Sequence, residues 1–445
     1  MSDARVAVAG AGLAGSLLAI YMARRGLPVT IYERRPDMRK VEVPAGRSIN
    51  LALSTRGIAA LEGVGLADEV LRMAIPMRGR MMHSVDGVQT YQPYGRDGEA
   101  INSVSRRALN ELLMSTAETE GVQIEFNQQV RDVDVRDATL TLESDGVKRE
   151  VQTRFVVGAD GAFSAVRARM MRRGRFNYSQ TYLEHGYKEL TMPPAEDGGF
   201  RLDPNALHIW PRHDFMMIAL PNPDHTFTCT LFLRHERAEF SFESLQDDES
   251  VRGFFDEHFS DAVPHLSNLC EEFAENPIGA LSYVKCGPYN HGERTLLIGD
   301  AAHAIVPFYG QGMNAAFEDC RLFDQLVGRH GPESVSDAIH EFSDTRKDDA
   351  DAICDLAVYN FYVMRDYVAD PAFLARKQLE HVLEDAFPET YRSLYGMVSF
   401  SNIPYAEAKS IADKQTAWLD LVGESGGTEL LGLLMFAWIR HIAKA

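Results

Sequence analysis

The chain opens on apolar runs separated by breakers. Residues 6–9 are "VAVA", followed by glycines at 10, 12 and 15, an apolar-rich stretch, Gly26, and a second run in "PVTIYE". Unbroken apolar runs of this length mark strands buried on both faces, as in a parallel sheet covered by helices. The pattern therefore predicts a strand over 5–10, a helix stopped by Gly26, and a strand over 28–33 ending at Glu33. Strand, helix and strand at this spacing make a βαβ unit.

Farther along, residues 44–57 begin as an irregular polar loop, and 55–73 read as helix. Residues 76–95 alternate around Asp86-Gly87, a hairpin signal. A helix is expected over 104–120, a strand over 122–126, and antiparallel strands over 130–158, ending in "RFVVGADG". Alternating and aromatic segments over 178–235, such as "FMMIAL" and "TFTCTLFL", predict a second, mainly antiparallel sheet. Residues 249–275 read as helical, 296–299 as a buried strand, and the remainder as almost wholly helical. The expected fold class is α/β: a Rossmann-like dinucleotide-binding domain (1–75, 97–175 and 280–330) interleaved with a β-rich domain (76–96 and 176–279), then a helical C-terminal region (331–445).

A length of 445 residues suits two intimately packed domains. The net charge of −19 argues against a nucleic-acid surface, which needs clustered Lys and Arg, and against adsorption to anionic membranes. The five cysteines are scattered without a CxxC pair, so no metal site is expected and a reducing compartment is. No signal peptide is expected, because the first strand starts at once. The apolar stretch "LLGLLMFAWI", 430–439, is about half the ~20 residues of a spanning helix and reads as a packed one.

Gly10, Gly12 and Gly15 have the G-x-G-x-x-G spacing between a strand and a helix. The first glycine permits the tight turn, the second a close approach of pyrophosphate, and the third close helix packing. Glu33 follows at the end of the next strand, where it can accept from a ribose and would repel the 2′-phosphate of NADP. Two later strands also end on acids: "FVVGADG" with Asp160, and "LLIGDAAH" with Asp300. Alone, the first reads as an ordinary Asp-Gly turn, and its repetition in the second weakens that reading. Gly310 and Gly312, before the run "MNAAFEDC", would let backbone amides approach a ligand. No second G-x-G-x-x-G occurs, so a separate nicotinamide domain is not expected.

Together the N-terminal glycine motif, the central Asp-Gly and the later Gly-Asp resemble the class A flavoprotein monooxygenases of the para-hydroxybenzoate hydroxylase fold. Within that class the chain resembles the kynurenine 3-monooxygenase family through "GRSINLALSTRG", "IPMRGRMMHS", "SVSRRALN", "YLEHGYKELTMPP", "LHIWPR" and "GDAAHAIVPFYGQGMNAAFEDC". "YNFYVMR" and "YAEA" extend the likeness into the helical tail. The resemblance implies bound FAD, transient NADPH, and 3-hydroxylation of L-kynurenine by O2 in tryptophan catabolism or pyridine-nucleotide biosynthesis. It points to Arg80, Tyr94, Asn360 and Tyr405 as contacts of the substrate's amino-acid carboxylate, and to Phe308 and Gln311 over the ring. For FAD it points to the glycine turn (Gly10, Gly12, Leu13, Gly15), Glu33, Arg34, Ala52, Arg106, Val130, Asp160, Asp300, Gly312, Met313 and Asn314. His303 belongs to the same loop without an assigned proton transfer. Val363 departs from the family pattern, which carries an acid there. The apolar spanning tail of eukaryotic members is missing, which implies a soluble, cytoplasmic, bacterial-type enzyme without stable membrane insertion; a homodimer is left open.

Overall fold

The computed structural model describes residues 5–41, 50–96, 98–172, 174–365 and 371–424. The polar loop expected over 44–49 and the apolar segment 430–439 lie outside them.

The opening βαβ unit forms as expected. Val6–Ala9 and Val29–Tyr32 pair in parallel, Val6 opposite Val29, and Leu13–Arg24 crosses between them. Every residue of both strands is buried, which explains the missing polar alternation. Gly26, just past the helix cap at Arg25, has φ +78°, a left-handed conformation that spares it any Cβ strain.

The sheet runs in the order Asn290–His291, Thr295–Leu297, Phe155–Gly158, Val6–Ala9, Val29–Tyr32, Gln123–Glu125. All neighbours are parallel except Asn290–His291. The three strands that precede Gly10, Asp160 and Asp300 are therefore adjacent. Their carboxyl ends open onto one crevice, where ligands of such sheets bind.

Several expectations need correction. The antiparallel run over 130–158 ends early: Gln129–Asp134, Thr139–Ser144 and Val147–Gln152 form a three-stranded antiparallel sheet, while Phe155–Gly158 joins the parallel one. Burial on both faces, seen in all four of its residues, explains that choice. The helix over 55–73 is two helices, Thr55–Glu62 and Ala67–Met73, split where Gly65 takes φ +66°.

The second sheet has seven strands, in the order Gly279–Gly287, Asn177–Met192, Phe227–Arg234, Phe215–Pro221, Ala206–Arg212, Gly79–His83, Gln89–Pro93. The hairpin turns where expected, with Gly87 at φ +79°. Its first strand also runs parallel to Ala206–Arg212, so the hairpin is the edge of this sheet. The boundary expected at residue 280 falls inside Gly279–Gly287, which pairs with Asn177–Met192.

The helix Val335–Arg365 ties the layers together. Its first half packs Val335, Ile339 and Phe342 into the core of the parallel sheet. Its second half packs Ile353, Phe361 and Met364 against Ile209, Met216 and Phe232 of the seven-stranded sheet. One rigid rod thus serves both cores, and the crevice lies between them.

Candidate active site

The glycine turn is built by steric exclusion. A Cβ on Gly10 would sit 2.7 Å from the Ala159 carbonyl oxygen at φ +102°, and one on Gly15 would sit 2.1 Å from the Gly10 carbonyl oxygen. A Cβ on Gly12 would meet nothing within 4 Å, so its face is open to the crevice. Glu33 anchors the turn by accepting from the Ala11 amide at 2.8 Å and from Arg35 Nε at 2.8 Å. Burial raises the Glu33 pKa, but the bonds from Arg35 and Ala11 outweigh it and hold the carboxyl below its usual range. Arg35, rather than the exposed Arg34, is its partner.

The two later acids differ. Asp160 Oδ2 accepts from the Ala165 amide at 2.7 Å, capping the short helix Ala165–Met170, while its Oδ1 is buried with no partner. Asp300 is exposed although protein closes around it, as befits a side chain facing an internal crevice. Burial raises its pKa, and Arg106 and His303 oppose that rise. Arg106 opens its helix and makes no hydrogen bond or ion pair among the described residues. The same guanidinium opposes the rise of Glu189, which burial pushes to about 7.

The helix Gly312–His330 begins at this crevice, and the amides of Gly312, Met313 and Asn314 precede its first intrahelical bond, Ala315 N to Gln311 O at 2.8 Å. The Asn314 side chain is engaged within the protein. It donates to Ala52 O and Gly310 O, both at 2.7 Å, and accepts from the Ser54 amide at 2.9 Å. Its backbone amide is what remains for a ligand. Val130 is partly buried and packs against the main core, in a strand whose neighbour Gln128 donates its amide to Glu33 O at 2.8 Å.

Behind the 299–311 loop lies a buried charge network. Asp319 accepts from the Gly299 amide at 2.7 Å, His303 Nε2 at 2.7 Å and Arg346 Nε at 2.8 Å. Glu318 Oε1 takes Arg56 Nη1 at 2.7 Å, and its Oε2 lies 2.8 Å from Arg346 Nη1. Burial alone would neutralise Asp319, but His303 and Arg346 keep its pKa low. His303 is thereby a strut of the loop. No local sequence signal marks this network, although Glu318 and Asp319 lie at the end of "GDAAHAIVPFYGQGMNAAFEDC".

Across the crevice stands Arg80, whose Nε is buried and unpartnered. Its guanidinium lies 4.7 Å from the Tyr395 ring centroid and 5.4 Å from that of Tyr94. Tyr94 stacks on Tyr395 at 5.3 Å, Tyr395 stacks on Tyr309 at 5.6 Å, and the Tyr94 hydroxyl is also buried without a partner. An always-charged guanidinium among aromatic faces, with its buried Nε and the Tyr94 hydroxyl unpartnered, has the chemistry to take a carboxylate.

Tyr405 is not part of this cage. It is fully buried, donates to Gln311 Oε1 at 2.9 Å, and lies with its ring centroid 3.8 Å from the Arg56 guanidinium. The position beside Arg80 belongs to Tyr395, in "RSLYGMVSF", which offered no motif of its own. Asn360 is buried and donates to the Phe308 carbonyl at 2.7 Å, fixing the loop whose Phe308 packs against Phe232 at 4.8 Å and Phe361 at 4.4 Å. Gln311 donates to Ser54 Oγ at 3.2 Å. Val363 is buried in the apolar cluster with Phe361 and Met364.

The family described as "FAD binding domain" matches residues 3–356. The kynurenine 3-monooxygenase of Myxococcus xanthus is 51% identical over 413 residues, 91% of this chain and 88% of that protein. The Dictyostelium discoideum enzyme of the same name is 45% identical, covering 91% and 90%. The chain belongs to the FAD-binding kynurenine 3-monooxygenase family. Solved structures confirm the fold: the tetrameric form of 2-methyl-3-hydroxypyridine-5-carboxylic acid oxygenase superposes with TM-score 0.68 at 22% identity, covering 87% of this chain and 98% of that one. Pseudomonas aeruginosa PqsL, solved with 2-aminobenzoylacetate, gives 0.65 at 20% identity, covering 82% and 97%.

FAD, the cofactor of this family, fits the residues present. The open face of Gly12, the helix-start amides, the free Arg106 and the crevice-facing Asp300 provide donors for phosphates and an acceptor for hydroxyls. Among the described residues no cluster of three or more potential metal ligands occurs, and no helix is long and apolar enough to cross a membrane.

Proposed function

We propose that this chain hydroxylates L-kynurenine at ring position 3, consuming O2 and NADPH. One oxygen atom enters the ring in place of hydrogen, the other leaves as water, and NADPH supplies the two electrons. The single observation that carries the substrate reading is the unpartnered Arg80 Nε and Tyr94 hydroxyl within one aromatic cage. Buried donors without acceptors are costly, and a substrate carboxylate relieves that cost.

Bound FAD would accept hydride from NADPH and activate oxygen. The chain's own residues do the rest. The glycine turn, Glu33, Asp300, Arg106 and the amides of 312–314 hold the cofactor. Arg80, Tyr94 and Tyr395 hold the carboxylate end of the substrate, so that its ring reaches toward the 308–311 loop. Phe308, Phe232 and Phe361 keep water from the ring's surroundings, which protects activated oxygen from wasteful release as peroxide. The substrate's aromatic amine donates electron density to the adjacent carbon, so no acid–base pair from the protein is required. Val363 offers no charge to the substrate ammonium, so recognition leans on the carboxylate. The five free thiols support a reducing, cytoplasmic setting.

The test is anaerobic reduction of the bound flavin by NADPH, with and without L-kynurenine, followed by oxygen and product identification. Faster reduction with kynurenine and a 3-hydroxylated product are expected. Absence of both would end the reading.

A further inference from the structure

The strand that carries Arg80 toward the crevice carries His83 on its opposite face, in a chain of polar groups outside the active site. His83 is fully buried. Its Nδ1 lies 2.6 Å from Asp261 Oδ2, and its Nε2 lies 2.9 Å from His208 Nδ1. The far nitrogen of His208 lies 2.9 Å from the Asp203 carbonyl oxygen. Asp261 also accepts from Trp210 Nε1 at 2.9 Å, and the Trp210 ring stacks on His83 at 4.0 Å.

The protons of this chain can be counted. A carbonyl oxygen only accepts, so His208 Nε2 carries hydrogen. Each of the other two links also needs one proton, making three in all. Two neutral imidazoles bring two. The third is held between His83 and Asp261, and a carboxylate that also accepts from Trp210 leaves it on the imidazole.

We infer that His83 is a positively charged positioning residue, paired with Asp261, that fixes the register of the strand presenting Arg80 to the substrate. The register at stake pairs Arg80 with Leu207 and Met82 with Ile209. A slip by one residue would turn Arg80 away from the crevice. Removing the third proton sets two lone pairs against each other at one link and weakens the hold. Among the described residues, His213, Asp214, Glu239 and His258 line the cavity beside His83, and other charged groups face it from two sides. From the strand Ala206–Arg212 come His208 and Arg212, the latter donating to the His83 carbonyl at 2.9 Å. From the following segments come Asp261 and His265, and Arg201 acts on His265. Burial and the neighbouring His83 charge push His208 down to about 4, in keeping with a single cation.

This inference rests on the Arg80 reading for its link to substrate, and its test separates the two. Asp261→Asn keeps every link without the extra proton, since the amide donates to His83 and its oxygen still accepts from Trp210. The KM for L-kynurenine is measured for holoenzyme and D261N between about pH 6 and about pH 10. Relative to D261N, wild-type KM is expected to rise roughly tenfold at the alkaline end, the size of one charge-assisted hydrogen bond, with kcat unaffected. Parallel KM profiles would overturn the link to substrate. Nitrogen-15 shifts of the His83 imidazole, assigned by difference against His83→Gln, test the proton count independently of any substrate. Two protonated nitrogens at neutral pH are expected, and one would overturn the charge assignment.

Discussion

The two walls of the crevice are built on different principles. The cofactor wall is backbone and short motifs. Gly10, Gly12 and Gly15 lie within six residues, and Asn314 ties Ala52, Ser54 and Gly310 together through one side chain. The proposed substrate wall is side chains gathered from far apart. Arg80, Tyr94, Tyr309 and Tyr395 meet only because the hairpin edge, the 299–311 loop and the helical tail converge. A wall made of backbone fails abruptly when a Cβ is added. A wall made of side chains can lose one member and keep its shape.

That contrast orders the expected effects. Gly10→Val is the harshest change, because its Cβ meets the Ala159 carbonyl oxygen at 2.7 Å and φ +102° is strained for any L side chain. Purified protein should lack flavin absorbance or fail to accumulate; normal flavin content would break the comparison. Arg80→Ala should retain FAD and raise the KM for L-kynurenine roughly 100-fold, since truncating one partner of a buried charged contact costs about 2–5 kcal/mol. Loss of FAD with unchanged KM would reverse the assignment of the two walls. Next come the tyrosines. Tyr395→Phe should raise KM several-fold with thermal stability kept. Tyr405→Phe should leave KM nearly unchanged and lower stability by about 1 kcal/mol, the worth of its bond to Gln311. The opposite pattern would return Tyr405 to the cage.

A last effect leaves substrate binding aside and is a pH dependence of stability. His208 titrates at about 4 in the fold, below its ordinary value of about 6.5, because burial disfavours its charged form. The unfolded chain therefore binds the extra proton first. The contribution is complete above about pH 6.5 and is lost as pH falls toward about 4, by roughly 1–3 kcal/mol. Denaturant midpoints for wild type and His208→Phe across that interval should converge at the acid end. A constant difference would remove His208 as the cause.

How far the sequence could be read follows the same division. The βαβ unit, the hairpin at Asp86-Gly87 and the strand-ending acids were legible because local periodicity and turn chemistry specify them. Phe155–Gly158 was assigned to the wrong sheet, since an apolar run does not announce its partner. The split at Gly65 and the strand crossing residue 280 were lost for similar reasons: neither interrupts the hydrophobic pattern strongly. In the site, that Arg80 and Tyr94 are neighbours was legible through the family likeness. Tyr395 was not, because nothing local distinguishes a tyrosine facing Arg80 from one under Arg56. The network of Arg56, Glu318, Asp319 and Arg346 was hidden too, since charged residues on amphipathic helices usually face water.

The central claim is that Arg80, with Tyr94 and Tyr395, binds the substrate through its carboxylate. The most direct measurement is the Kd of L-kynurenine and of its decarboxylated analogue for the oxidised holoenzyme and for Arg80→Ala. L-Kynurenine should bind much more tightly than the analogue to the wild type, and the two should bind almost equally to the variant. If Arg80→Ala weakens both ligands by the same factor, the cage does not recognise the carboxylate and the account is wrong.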